Sequence, residues 1–199
     1  KGKDSTNSPS AGFRFAIGLS CCKLRQAWGA TARHSLATNA PKLMKANFAL
    51  SLSFDGITLL ERVDGGWCER GSVSLDTDQL EQDMAKLWEK SERDIDDVSN
   101  VKIVLLNEQI KYLVLPGVTD QSDDAIEAFI RQELEGTTPY PVADLRFDWC
   151  VKDSKVYVAA VALETLEEAE SFAIAHRFTP LGHVAIAPDG AFDGEVHFG

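Results

Sequence analysis

Apolar and polar residues alternate over residues 48–53, and a β-rich run over 57–63 follows the turn Phe54-Asp55-Gly56, so the first legible feature is a hairpin. Asp64-Gly65-Gly66 supplies a second turn into residues 67–75, completing a predicted three-stranded meander. The period then changes from two to that of a helix. Leu80, Met84, Leu87 and Trp88 recur at helical spacing behind Asp76-Thr77-Asp78, which predicts a capped helix running into the polar connection SERDIDDVSN. Residues 101–106 form a run that is apolar apart from Lys102, the pattern of a strand covered on both faces, and residues 109–115 alternate again as far as Pro116-Gly117. Ser122 predicts the cap of a second helix, with Ile126, Phe129, Ile130 and Leu134 as its buried stripe and Gly136 as its stop. Thr138-Pro139-Tyr140-Pro141 reads as a rigid turn, because each proline fixes its own φ and restrains the residue before it. Two strands over 145–151 and 155–161 flank a turn at Asp153-Ser154. A helix from 164 to about 177 and a buried strand over 182–187 complete the pattern. The class is α/β with mixed sheets.

Charge divides the chain in two. Residues 1–43 carry seven Lys or Arg against Asp4, a sum of +6; with −11 for the whole chain, residues 44–199 sum to −17. So acidic a body repels nucleic acid and anionic lipid, and favours protein partners, basic segments of membrane proteins among them. Three readings fit the basic, Ser/Ala-rich residues 1–43: a targeting sequence, a disordered arm, or translated sequence ahead of a start at Met44, before which no Met stands. The apolar stretch FAIGLSCC at 15–22 is short for a secretory signal, and Gly18 stands where a lipobox around Cys21 wants Leu. No run approaches the roughly 18 apolar residues of a membrane-spanning helix.

Candidate chemistry is sparse. Cys21, Cys22, Cys68 and Cys150 show no C-x-x-C spacing; Cys68 and Cys150 each follow a tryptophan and read as small hydrophobes, which suits a reducing cytoplasm. His34, His176, His183 and His197 lie too far apart to suggest a metal site, and His176 reads as a helix C-terminal residue favoured by the dipole. There is no G-x-x-x-x-G-K-[ST], no G-x-G-x-x-G after a strand and no G-x-S-x-G. The pairs Asp123/Asp124 and Glu167/Glu168 are adjacent on helices and point in different directions, so they do not converge as general acid and base. No catalytic residue is assigned.

The order of hairpin, third strand, helix and strand, followed by an inserted unit, carries a family resemblance. The opening FALSLSFDGITLLE, the segment VKIVLLNEQIKYLVLP, the helix AIEAFIRQELEG running into TTPYPVADLRFDW, and KVYVAAVALETLEEAESFA together resemble the first half of the actin-like proteins PilM and GspL, scaffolds of type IV pili and type II secretion. The stretch ending in PDGAFDGEVHFG also resembles the beginning of large alphaproteobacterial proteins of unknown function.

This resemblance implies an actin-like (ribonuclease H-like) first lobe over 44–187, with a small inserted α/β subdomain at about 107–162 and residues 188–199 as the start of a continuation that a truncated chain lacks. ATP-binding members of the fold place an Asp near the end of the first strand and a Gly at the turn. Those positions fall here on Ser51 and Ser53, with Asp55 at the turn itself, which implies a degenerate nucleotide site. An Asp before Gly is equally expected from turn chemistry alone. The implied function is a non-catalytic cytoplasmic scaffold or protein-interaction domain at the inner face of the inner membrane, without a cofactor of its own. The alternatives are an ATPase that gains Mg-ATP with a second lobe, and a structural module of a large protein. Glu167, Glu168 and Glu170 offer an acidic face for a basic partner. Tyr140, held between prolines, is either an exposed anchor or packed on its own domain.

Overall fold

The computed structural model describes residues 46–64, 66–91, 100–117 and 121–199. The expectations for residues 1–43, Met44, Gly65 and most of the polar connection at 91–100 lie outside these. In chain order the elements are β1 (Phe48–Leu52), β2 (Gly56–Val63), β3 (Gly66–Ser74), α1 (Leu80–Ser91), β4 (Asn100–Val104), β5 (Lys111–Pro116), α2 (Asp123–Leu134), β6 (Leu145–Lys152), β7 (Lys155–Ala162), α3 (Leu163–Ala175), β8 (Thr179–Ile186) and β9 (Glu195–Phe198). Short 3-10 turns stand at Asn107–Gln109 and Val142–Asp144.

The main sheet has the order β3-β2-β1-β4-β8-β9. Its first three strands form the antiparallel meander, β1, β4 and β8 run parallel, and β9 returns antiparallel to β8. Alternation places Phe48, Leu50, Ile57, Leu59, Val101, Ile103 and Ala185 on one face, where they meet Met84 and Leu87 of α1 and Leu166, Ala169 and Ala173 of α3. Each large side chain so buried contributes about 1.5–3 kcal/mol. The other face carries Ala49, Trp67, Val104 and Val184.

The second sheet, β5-β7-β6, is antiparallel throughout. On one side Val156, Val158 and Ala160 of β7 pack beneath Ile126, Ile130 and Leu134 of α2. The intervening Ala159 and Val161 enter the core of the main sheet. This two-faced burial explains the run of apolar residues in β7. Ser122 caps α2 by accepting from the Ala125 amide, and Gly136 follows the helix at φ +70°.

Several boundaries differ from the pattern-based expectation. β8 begins at Thr179, so it includes Pro180, which has no N–H for a ladder; the pairing with β4 shifts register between Val101 and Lys102 to absorb it. Asn107–Gln109 folds into a 3-10 turn, which delays β5 to Lys111. α3 ends at Ala175, with His176 as its C-cap and Arg177 at φ +70°. Residues 195–198, not expected as a strand of this sheet, form β9 beside β8.

Candidate functional site

The parallel strands β1, β4 and β8 end at the same edge of the main sheet, the edge where ligands collect in open α/β folds. The β1–β2 turn stands there and is closed on itself. The Ser53 amide donates to Gly56 O at 2.9 Å, the Ser53 hydroxyl donates to the same oxygen at 2.7 Å, and the Gly56 amide donates to Ser53 Oγ at 3.1 Å. Gly56 is required by close approach: a Cβ there would lie 2.2 Å from the carbonyl oxygen of Val73 on β3. Phe54 at the tip is 71% exposed, and Asp55 beside it is exposed while its carbonyl accepts from the Leu75 amide at 3.4 Å. Ser51 is partly buried in β1, in register with Thr58 and Val104. The turn thus offers one exposed carboxylate and a hydroxyl already engaged. Among the described residues, no group of three or more His, Cys, Asp or Glu is placed to hold a metal ion.

Behind this edge is a lock that periodicity did not reveal. Asn107 Nδ2 donates to Ile186 O at 2.9 Å, and Tyr112 Oη donates to Asn107 Oδ1 at 2.7 Å. The amide fastens the end of β8 to the turn after β4, and the phenol ties both to β5. Burial pushes the Tyr112 hydroxyl up to about 12, so it remains a neutral donor at ordinary pH. The only sequence signal was a polar residue directly after the apolar run at 101–106.

Glu167, Glu168 and Glu170 are exposed on α3. Glu170 also acts inward, because its charge favours protonation of His183 on β8. Burial outweighs it and holds that imidazole below its usual 6.5, although a hydrogen bond to the Leu166 main chain also opposes the shift. His183 Nε2 is buried without a hydrogen-bond partner. Tyr140 is 39% exposed, and its backbone is fixed by the Thr138 hydroxyl, which donates to Tyr140 O at 3.0 Å and accepts from Tyr140 N at 3.3 Å. The turn residues, the α3 carboxylates and Tyr140 lie on three separate elements, and no hydrogen bond or ion pair among the described residues links them.

On the second sheet, the Asp148 carboxylate accepts from the amides of Trp149 and His197, each at 2.9 Å, which joins the edge of β6 to that of β9. Nearby, α2 and β6 enclose a shallow cavity of about 140 Å3 lined by Glu127, Arg131, Leu145, Arg146, Phe147 and Trp149.

The structure is similar to that of the cytoplasmic domain of EpsL, an inner membrane component of the type II secretion system of Vibrio cholerae; the match has a TM-score of 0.50 and 13% identity, and covers 68% of this chain and 55% of that one. The fold is actin-like. Structures similar to this actin-like lobe also include the PilM-PilN type IV pilus biogenesis complex, with a TM-score of 0.49 and 16% identity over 67% of this chain and 45% of that chain. Another is a Bacteroides thetaiotaomicron protein with actin-like ATPase fold and unknown function, with a TM-score of 0.31 and 10% identity over 67% and 52%. The chain spans about half the length of these solved structures. No protein-family model and no curated protein matches the sequence.

Proposed function

We propose that this actin-like lobe is a scaffold domain of a membrane-associated assembly, working at the cytoplasmic face of the inner membrane by binding protein segments and not by turning over nucleotide. The observation that carries this reading is the self-closed β1–β2 turn. Its hydroxyl is engaged with Gly56, Ser51 occupies the strand position from which an aspartate would hold a metal-bound water, and the tip presents Phe54 to solvent. A phosphate approaching this turn meets the exposed Asp55 carboxylate, a like charge. Both EpsL and the PilM-PilN complex belong by description to secretion or pilus assemblies, which supports the class of function. No helix of the described residues is long and apolar enough to cross a membrane.

The exposed carboxylates of Glu167, Glu168 and Glu170 would receive a basic partner segment, with charge setting on-rate and discrimination. Two measurements on the full chain test the reading. Thermal unfolding is expected to be unchanged up to millimolar Mg-ATP, and a Mg-ATP-dependent rise in Tm would install the ATPase reading in its place. A lysine-rich peptide is expected to bind the wild type and to lose binding when the three glutamates are changed to lysine; equal binding by both proteins would remove the α3 face from the proposal.

A further inference from the structure

The outer edge of β6 combines four features that the acidic-face reading leaves unused. First, it is an edge: among the described residues β6 is laddered only to β7, and residues 193–198 lie beside it from Asp148 to Lys152 through the Asp148–His197 and Lys152–Asp193 bonds, so the open stretch is residues 145–147; the two-residue turn at Asp153 and Ser154 makes Lys152 and Lys155 the closing pair. Counting back by twos, the backbone groups of residues 152, 150, 148 and 146 face β7, whereas those of 151, 149, 147 and 145 face outward. The Trp149 amide confirms this phase, since it is directed away from β7 and held by Asp148. Phe147, two residues along, is the next outward-facing position.

Second, this edge borders the cavity between α2 and β6, where Phe147 and Trp149 supply half-buried aromatic walls. Third, Arg131 is held in place above it: Nη2 pairs with Glu127 Oε1 at 2.6 Å, and the guanidinium carbon lies 5.0 Å from the centroid of the Phe147 ring. Fourth, Arg146 also lines the cavity, is exposed, and makes no ion pair with a described residue. With one Glu and two Arg among the lining residues, this is a net positive spot on a body that sums to −17 over residues 44–199.

We infer that the β6 edge is a docking site for an extended, acidic segment of a partner protein, which adds as a strand at Phe147, places an apolar side chain between Phe147 and Trp149, and pairs a carboxylate with Arg146. Strand addition supplies affinity through main-chain bonds, while alternate side chains supply selectivity, one toward the cavity and the next toward the guanidinium. Arginine suits that role because its planar fork binds a carboxylate through two parallel hydrogen bonds. The polarity is opposite to that proposed for α3, so the two surfaces discriminate between partners and their failures are separable.

The probe is a short fluorescein-labelled peptide alternating valine and glutamate, titrated into the full chain and followed by fluorescence polarisation, with a valine–lysine peptide as counterpart. The glutamate peptide is expected to bind saturably, Arg146→Glu to weaken it by about tenfold or more, and Arg146→Gln to weaken it by less. Hydrogen exchange at the Phe147 amide is expected to slow when the peptide is bound. Absence of binding, equal binding of the lysine peptide, or affinity unchanged in folded Arg146→Glu protein would each overturn the assignment. Binding that leaves the Phe147 amide unprotected would overturn the strand-addition geometry.

Discussion

Asp148 reaches from β6 to the main chain of His197 on β9, accepting its amide at 2.9 Å through Oδ2 while Oδ1 accepts the amide of Trp149. One carboxylate therefore satisfies an edge amide on each sheet. Hydrogen bonds to a charged acceptor are the stronger class, and a donor left without a partner costs its full desolvation. Asp148→Ala is expected to lower stability by about 1–3 kcal/mol, read from the urea midpoint, and Asp148→Asn to lower it by less. An unchanged midpoint in the alanine variant would mean that water replaces the carboxylate at no cost.

Gly56 lies where a Cβ would approach Val73 O to 2.2 Å, and the obstacle is backbone, not a side chain that could swing aside. Gly56→Ala must push β2 away from β3 at the start of their pairing. A loss of about 2 kcal/mol or more is expected in equilibrium unfolding. Wild-type stability in this variant would show that the hairpin tip moves freely.

His183 gives a pH signature with a definite sign. Burial lowers its folded-state pKa below 6.5, so the unfolded chain takes up the proton first on acidification. The stabilisation is complete above about pH 6.5 and declines as the pH falls through that value toward the folded pKa. His183→Gln is expected to remove this part of the slope, whatever its effect on absolute stability. An identical slope in both proteins between about pH 6.5 and 5.5 would assign the dependence to other groups.

The turn between β6 and β7 places Asp153 at φ +49° and Ser154 at φ +58°, both in the left-handed region that glycine tolerates and other residues resist. Ser154→Gly is expected to stabilise the protein by about 0.5–1 kcal/mol, visible as a raised Tm. A lowered Tm would indicate that the serine side chain supports the turn.

Element order was legible because each segment had one dominant period. Alternation gave β1 and β5, helical spacing gave α1 and α2, the apolar run at 101–106 gave β4, and the turn at Asp153-Ser154 set off β6 and β7. Pro180 concealed the first half of β8, since a proline normally argues against an inner strand and only the register shift with β4 accommodates it. β9 was hidden because GEVHFG is too short to display a period, and its placement depends on pairing with β8 and on Asp148. The candidate sites followed the same division. The hairpin and the α3 carboxylates are local in sequence and could be read; the Asn107–Ile186 lock and the α2–β6 cavity join residues distant along the chain and required the fold.

The two faces of β7 have a mechanical consequence. Val156, Val158 and Ala160 are bound into the core beneath α2, and Ala159 and Val161, one residue out of phase, into the core of the main sheet. Tilting the second sheet against the main one would require both sets of contacts to slip along a single strand, so β7 acts as a shared beam and not as a hinge. A load applied to the second sheet is carried through that beam into the main sheet, because close-packed interiors transmit strain.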